Sequence, residues 1–106
     1  AFERGDPQAA LDFLSTTQPQ GDPADRADWY YWMGRSQLAL GNPGAAAQQL
    51  QQTVTLRPGV VPYHLALAQA LLANQQSAAA YAQLQQVLAI APDNQEALRL
   101  LTQVQP

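Results

Sequence analysis

Three side chains of this sequence, one histidine and two serines, have the chemistry to form a hydrolytic centre. His64 is the only histidine, and Ser36 and Ser77 carry hydroxyl groups that a histidine base could activate. A catalytic triad also needs a carboxylate behind the histidine and a characteristic sharp turn around the nucleophilic serine. Neither Ser36 nor Ser77 lies in a sequence motif for that turn. His64 instead falls at a helix-packing position. We therefore predict a buried or half-buried structural role for His64 and no catalytic residues.

A second group that could do chemistry is a set of carboxylates before a predicted helix. Asp22, Asp25 and Asp28 lack the spacing of a calcium-binding loop, and the positive end of the following helix attracts carboxylates. We assign these residues to helix capping and solvation. The chain has no cysteine, which excludes thiolate zinc sites and disulfides. The segment 41–44 has the residues of a helix–helix turn rather than a phosphate-binding loop, so we expect no metal and no cofactor.

The charge and hydropathy of the chain exclude two classes of partner. Five arginines are scattered over 106 residues, and the net charge is −3. Binding to nucleic acid requires several basic residues on one face, so we do not expect it here. No apolar run approaches the roughly 20 residues that cross a bilayer, so we do not expect membrane insertion. A chain of this length is expected to form one domain.

The residue usage also bears on the origin of the chain. Lysine is absent, while alanine, glutamine and arginine are used freely. This usage is typical of a GC-rich bacterial genome, and the absence of cysteine is compatible with the periplasm. We therefore favour the bacterial cell envelope over the cytoplasm. The chain opens inside a predicted structural element, so we interpret it as part of a longer protein.

The elements that would position any functional side chain follow from an internal repeat. Segments 45–58 and 79–92 align position by position, and the residues that precede them obey the same fixed offset in the numbering. The matched pairs include Met33/Leu67, Gly34/Ala68, Leu38/Leu72, Ala46/Ala80, Leu50/Leu84, Leu56/Ile90 and Pro58/Pro92. The two members of each matched pair are separated by the same number of residues, and this repeat length is typical of a protein built from repeated helix pairs.

Each repeat has the signals of two helices. Asn42-Pro43 places a capping side chain before a proline at the first helical position. Asp93 and Glu96 have the spacing of a capping box at the start of the last helix. The predicted helices are 8–17, 25–40, 43–56, 61–74, 77–90 and 94–104. The short connectors between them make successive helices antiparallel neighbours.

The period, the two-helix unit and several motif positions resemble the tetratricopeptide repeat (TPR) family. In the first complete repeat the matching residues are Tyr30, Met33, Gly34, Ala46, Leu50, Thr53 and Pro58. In the second they are His64, Leu67, Ala68, Ala80, Leu84, Val87 and Pro92. Gln37, His64 and Val87 depart from the residue types that the family favours. The resemblance implies an all-α fold, a right-handed α-solenoid of antiparallel helix pairs.

The resemblance covers nearly the whole chain and divides it into units. These units are a half repeat (1–20), a linker (21–26), two full repeats (27–60 and 61–94) and a final helix (95–106). Within the full repeats, small residues are expected on facing helices: Gly34 opposite Ala46, and Ala68 opposite Ala80. Small side chains let two helix backbones approach closely, so that larger neighbours can interdigitate.

The aromatic segment 29–32 (WYYW) is expected to divide between core and surface. Helical spacing places Tyr30 inside its own repeat and Trp29 against helix 8–17, whereas Tyr31 and Trp32 point elsewhere. Tyr31 begins a stripe of residues that faces a concave groove in TPR folds. The predicted groove residues are Tyr31, Arg35, Leu38, Leu65, Gln69, Leu72, Arg99 and Gln103. Alternatively, Tyr31, Leu65 and Leu72 only cover the seams between repeats or contact a neighbouring domain.

In the TPR family this groove binds extended or helical segments of a partner protein. Some members hold a C-terminal carboxylate with a lysine and asparagine clamp, which is not matched here because Tyr31 and Arg35 occupy the corresponding positions. We expect the groove to prefer apolar side chains, with Arg35 and Arg99 available to an acidic group.

The resemblance therefore predicts a non-catalytic protein-interaction module that holds a peptide or helix of a partner, within a larger bacterial assembly or envelope-biogenesis protein. The alternative is a structural spacer, or a dimerisation or accessory domain of a larger enzyme or secretion component. In that case the exposed terminal helices are expected to contact either a further repeat or a second copy of the chain, which would give a homodimer.

Overall fold

The computed structural model describes residues 21–104, and within that range the chain forms five α-helices and no strand. The helices are α1 (Pro23–Ala39), α2 (Pro43–Leu56), α3 (Val61–Ala73), α4 (Ser77–Ile90) and α5 (Gln95–Val104). Each helix packs against the next one along the chain. The predicted all-α solenoid of helix pairs is thus confirmed. The predicted helix 8–17 and half repeat 1–20 lie outside the described residues.

The first described helix begins earlier than the sequence pattern indicated. We predicted a linker over 21–26 and a helix from residue 25, but α1 begins at Pro23. The reason is a cap at Asp22, whose side-chain oxygen accepts a hydrogen bond from the Asp25 backbone N–H at 3.0 Å. With Pro23 at the first helical position, this is an N-cap followed by proline. The capping role predicted for Asp22 is confirmed, and the predicted linker is too long.

Two other predicted caps are wrong. Asn42 stands at the N-cap position of α2, but its side chain donates to Gln37 Oε1 at 3.0 Å and makes no capping bond. The last helix begins at Gln95, because Asn94 Oδ1 accepts a hydrogen bond from the Ala97 backbone N–H at 2.8 Å. This cap replaces the capping box predicted between Asp93 and Glu96. The Glu96 carboxylate is therefore free to make other contacts.

In the first helix pair the small residues Gly34 and Ala46 face one another, as predicted. A methyl group added at Gly34 would lie 2.6 Å from Leu50 Cγ and 3.2 Å from the Ala46 carbonyl oxygen. Contacts this short leave no room for a side chain, so glycine permits the close approach of α1 and α2. In the second pair, Ala68 and Ala80 are both 0% exposed.

Stacking of the pairs gives two apolar clusters that are joined by shared side chains. One cluster spans α1 to α4 and includes the fully buried side chains of Leu50 and Leu67. The other spans α3 to α5 and includes the fully buried side chains of Leu84 and Val87. Leu72 packs against both clusters, so the described helices share a continuous core, as expected when single helix pairs cannot bury their apolar faces alone.

His64 has the structural role that we predicted. Its side chain is buried, its Nδ1 lies 2.7 Å from Gln83 Oε1, and its Nε2 contacts the Pro58 carbonyl oxygen. A carbonyl oxygen can only accept a hydrogen bond, so Nε2 carries a proton and donates it. His64 thus links α3 to α4 and to the α2–α3 connector. Ser36 Oγ donates to the Trp32 carbonyl oxygen within its own helix, at 2.8 Å.

The two aromatic residues expected in the core are only half-buried. The rings of Trp29 and Tyr30 meet edge to face, with centroids 5.1 Å apart. The predicted contact of Trp29 with helix 8–17 lies outside the described residues. Over residues 21–104, none of the helices has both the length and the apolar character needed to cross a membrane.

Candidate functional site

A shallow cavity of about 190 Å³ opens on the face formed by the first helix of each pair together with α5. We refer to this cavity as the groove. Its lining residues are Tyr31, Arg35, Pro62, Leu65, Ala66, Gln69 and Glu96. They come from α1, α3 and α5, while α2 and α4 contribute none. The repeat produces this arrangement, because it places Tyr31 and Leu65, and likewise Arg35 and Gln69, at equivalent positions of successive helices.

Tyr31 forms an aromatic wall at one end of the groove. Its ring packs against the ring of Tyr63, with centroids 4.9 Å apart and an angle of 44° between the planes. It also meets the ring of Trp32 nearly edge to face, at 5.3 Å. Because Tyr63 is buried, these contacts fix the Tyr31 ring while leaving part of it accessible. The sequence analysis did not identify Tyr63 as a support of the groove.

Arg35 lies beside this wall and is held by it. Its guanidinium carbon is 5.5 Å from the ring centroids of both Tyr31 and Trp32. Its Nη1 donates to the Tyr31 hydroxyl at 3.2 Å. These contacts orient the guanidinium but do not neutralise its charge. Within residues 21–104, Arg35 forms no ion pair with a carboxylate. The groove therefore has a positioned cation at the α1 side.

Glu96 supplies a carboxylate at the α5 side. Its Oε2 accepts hydrogen bonds from Arg99 Nη2 at 2.6 Å and from Gln69 Nε2 at 2.9 Å. The bond from Arg99, assisted by the one from Gln69, lowers the pKa of the Glu96 carboxyl below its usual value although partial burial opposes this. The carboxylate is thus charged at neutral pH. Our sequence analysis assigned Glu96 to a cap and missed its place in the groove.

Comparison with known proteins identifies this architecture. A sequence profile described as tetratricopeptide repeat matches residues 37–104, more than half of the chain. The chain belongs to the tetratricopeptide repeat family. It is also 35% identical over 112 residues to the FK506-binding protein-like protein of Homo sapiens, an alignment that includes 97% of this chain. This chain spans only 31% of the length of that relative.

Solved structures show the same TPR fold. The APC/C hetero-tetramer Cut9–Hcn1 superposes with a TM-score of 0.88 and 24% identity, over 100% of this chain and 21% of the matched chain. The first TPR of Spaghetti (RPAP3), bound to the HSP90 peptide SRMEEVD, superposes with a TM-score of 0.84 and 18% identity. That match covers 97% of this chain and 82% of the other. At these identities the likeness establishes the fold alone.

Four of the eight predicted groove residues line the cavity of this TPR domain, and four do not. Leu38 and Leu72 lie one helical turn beyond Arg35 and Gln69 and are half-buried against the core clusters. Of the three residues in the alternative that only covers seams, Leu72 packs against both core clusters, whereas Tyr31 and Leu65 line the cavity. The two remaining residues, Arg99 and Gln103, are exposed on α5, and Arg99 is bonded to Glu96.

A larger but less distinctive cavity, of about 570 Å³, lies between α2 and the α3–α4 turn. Most of its lining side chains are amides: Gln48, Gln51, Gln52, Asn74 and Gln76. It has no charged or aromatic lining residue, so it has few groups that could orient a ligand. Elsewhere in residues 21–104, no three His, Cys, Asp or Glu side chains are grouped closely enough to hold a metal ion.

Proposed function

We propose that this TPR domain is a non-catalytic protein-interaction module that binds a peptide or helical segment of a partner protein in the groove. The observation that carries this proposal is the orientation of Arg35 by two aromatic rings, at the edge of a cavity whose floor has both apolar residues and the Gln69 amide. Such a cavity suits a segment that presents apolar side chains together with a few polar groups.

Each part of the groove has a role in this proposal. Leu65 and the accessible edge of Tyr31 contact apolar side chains of the segment. Arg35 pairs with a carboxylate, and the Gln69 amide contacts the segment backbone. A segment longer than the cavity would also reach the remaining predicted residues along the same face. These are Leu38, Leu72, Arg99 and Gln103.

Family membership and one structural neighbour support a peptide partner. The RPAP3 repeat domain shares the fold and holds a peptide of seven residues in its solved complex. The structural role of His64 supports the non-catalytic part of the proposal, because both of its ring nitrogens are already engaged. A buried and fully bonded imidazole is poorly placed to serve as a general base.

The experiment compares two groove variants with two matched controls. Peptides enriched from a random displayed library by the full 106-residue chain serve as probes, and affinity is measured by fluorescence anisotropy. We expect Arg35→Glu and Tyr31→Ala to weaken binding by about 10-fold or more, the loss of one strong contact. The controls are Arg57→Glu and Tyr81→Ala, which change exposed residues outside the groove and should retain affinity.

Thermal unfolding followed by circular dichroism separates loss of contact from loss of fold. Arg35 is exposed, so its charge reversal should leave the melting temperature nearly unchanged. Tyr31 packs against Tyr63, so Tyr31→Ala is expected to lower the melting temperature moderately as well. Unchanged affinity in both groove variants would show that the partner binds elsewhere.

A structural or dimerisation role is the second candidate. Among the described residues, large apolar side chains that are more than a third exposed occur only in α4 and α5: Tyr81 (41%), Ile90 (50%) and Leu98 (38%). Contacts with another copy or with a further part of the parent protein would cover these side chains. Sedimentation equilibrium at several concentrations tests the homodimer. A mass that stays monomeric would argue against it.

The bacterial envelope setting remains a proposal supported by composition, namely the absence of lysine and cysteine. Fractionation of the source organism, with an antibody raised against this domain, tests it. The domain should appear with periplasmic marker proteins. Recovery with cytoplasmic markers would contradict this location.

A further inference from the structure

The groove has charges of opposite sign on opposite walls. Arg35 is contributed by α1, Glu96 is contributed by α5, and the floor between them is uncharged residues of α3. The only ion pair within residues 21–104 joins Glu96 to Arg99, so the two groove charges do not neutralise each other. A ligand in the cavity therefore meets the Arg35 cation at one side and, at the other, a carboxylate whose Oε2 is already paired with Arg99.

Glu96 retains capacity to bind a ligand despite its internal contacts. Both hydrogen bonds to its side chain end on Oε2, and within the described residues no hydrogen bond ends on Oε1. A carboxylate oxygen can accept more than one hydrogen bond, and Oε1 needs a donor or water. The Gln69 amide, from a different helix, fixes the position of this carboxylate at the cavity wall. Glu96 is thus an oriented acceptor with one oxygen available.

We propose that the groove selects a partner segment of mixed charge. In this arrangement an acidic group of the segment pairs with Arg35, and an arginine or lysine of the segment donates to Glu96 Oε1. An apolar side chain between them contacts Leu65. This inference rests on the proposed function, because it describes what the same groove accepts, and it names the charge pattern of the partner.

The mixed charge pattern follows from attraction and from repulsion together. A purely acidic segment would pair with Arg35 but place a like charge beside Glu96. A purely basic segment would pair with Glu96 but place a like charge beside Arg35. Like charges in one site select against a partner as effectively as opposite charges select for one. The pairs are partly exposed, so each charge should change affinity by a modest factor, about 3- to 10-fold.

The test is selection of displayed peptides followed by a charge-swap measurement. The probe is a random nonapeptide library, selected in parallel on the unmodified chain, on Arg35→Gln and on Glu96→Gln. Both variants replace a charged side chain by the neutral, polar amide of glutamine. We expect the unmodified chain to enrich peptides that combine an acidic residue, an apolar residue and a basic residue. Glu96→Gln should lose the preference for the basic residue, and Arg35→Gln the preference for the acidic one.

Matched controls and a reversal make the result specific. Arg57→Gln and Asp93→Asn remove exposed charges outside the groove and should enrich the same peptides as the unmodified chain. In the reversal, Glu96→Arg should bind an enriched peptide about 10-fold more weakly, and changing the basic residue of that peptide to glutamate should restore affinity. A contribution of Glu96 to helix packing alone would not give this restoration.

The possible outcomes separate this inference from the proposed function. Peptides that depend on Tyr31 but lack one of the two charges would overturn the mixed-charge inference and leave groove binding intact. If Glu96→Gln still enriched peptides with a basic residue, the mixed-charge inference would also be overturned and groove binding would stay intact. Absence of any enrichment that depends on Tyr31 or Arg35 would overturn the proposed function itself, and the inference with it.

Discussion

The two helix pairs of this TPR domain are alike in their core and different in their groove. At equivalent positions of the two repeats, the buried residues are small or apolar in both pairs. These matched positions are Gly34 and Ala68, Ala46 and Ala80, and Leu50 and Leu84. At the same spacing the groove positions change chemistry, from Tyr31 to Leu65 and from Arg35 to Gln69.

The difference shows which constraint acts at each position. A residue between two helices must fit a close-packed space, so the same sizes recur wherever the same packing recurs. A residue in the groove is enclosed on one side only, so it can differ between repeats with less effect on the stack. The positions that differ are therefore the ones through which this domain can distinguish partners, and the core positions are the ones that determine its stability.

The largest effects should come from truncating the leucines at the centre of each pair. Leu50 and Leu84 are both 0% exposed, so replacement by alanine removes buried surface and leaves a cavity. We expect Leu50→Ala and Leu84→Ala each to lower the free energy of unfolding by about 2–5 kcal/mol. Urea denaturation followed by circular dichroism measures this change. Gln52→Ala and Gln86→Ala, which change exposed residues at equivalent positions of the two repeats, are the controls and should change stability little.

Similar losses at the two leucines would establish that the pairs are equivalent in packing. A small loss at only one of them would show that the stack is less tightly packed at that end, and the two pairs would then not be alike in their core.

A second effect, expected at about 1–3 kcal/mol, concerns Gly34 and Ala68, a core position where the two pairs differ. Ala68 carries a methyl group, but the same group at Gly34 would lie 2.6 Å from Leu50 Cγ. Overpacking should cost Gly34→Ala about 1–3 kcal/mol of stability. That cost should exceed the gain of up to about 1 kcal/mol that alanine brings to a helix interior. Chemical denaturation measures the net change.

The double variant Gly34→Ala/Leu50→Ala tests the cause. Removing the leucine side chain removes the clash, so the double variant should be at least as stable as Leu50→Ala alone. Additive losses would mean that the added methyl group contacts something other than Leu50.

The sequence predicted the fold well because the fold depends on a repeated pattern. Small and apolar residues recur at one period, and each recurrence adds independent weight to the same helix boundaries. The caps were predicted less well, since several neighbouring polar residues compete for each helix end. Asn94 rather than Asp93 caps α5, and both are residue types that cap helices, so type alone could not choose between them.

The groove was predicted only in part, for a related reason. Spacing along one helix placed Tyr31 and Arg35 on one stripe, because helical periodicity is local, and the resemblance to TPR proteins assigned that stripe to the groove. The contact of Tyr63 with Tyr31 and the bond from Gln69 to Glu96 join different helices. Such contacts depend on how the helices pack, which no local pattern specifies. The one available signal for Glu96 was its place as an acidic residue in the first turn of α5, which is also what suggested a cap.

The cap at Asn94 gives a third prediction, at about 0.5–2 kcal/mol. Asn94→Ala removes the side-chain acceptor of the Ala97 backbone N–H and should destabilise the domain by that amount. Asp93→Ala is the matched control, because Asp93 is exposed and its side chain makes no capping bond to α5 among the hydrogen bonds of the described residues. Thermal melts of the two variants compare them directly. Greater destabilisation by Asp93→Ala would restore the capping box predicted from the sequence.

The smallest effect should come from the turns that close the first helix of each pair. Gly41 and Gln75 occupy equivalent positions of the two repeats, and both have positive φ, 85° and 61°. In the first turn, the backbone N–H groups of Gly41 and Asn42 donate to the carbonyl oxygens of Leu38 and Gln37. In the second turn, the backbone N–H groups of Gln75 and Gln76 donate to the carbonyl oxygens of Leu72 and Leu71. This is the same C-terminal motif in both pairs, and it favours glycine at the positive-φ residue.

Only the first pair has that glycine, so exchanging the residues should move stability in opposite directions. A non-glycine residue in the left-handed region costs about 1–2 kcal/mol, and the greater freedom of glycine in the unfolded chain offsets about half of it. We therefore expect Gln75→Gly to raise the free energy of unfolding by about 0.5–1 kcal/mol, and Gly41→Ala to lower it by a similar amount. No atom lies within 4 Å of a methyl group added at Gly41, so a clash would not explain the loss. If Gln75→Gly proved neutral in urea denaturation, contacts of the Gln75 side chain would have to compensate for its backbone, and the two turns would differ in more than their residue type.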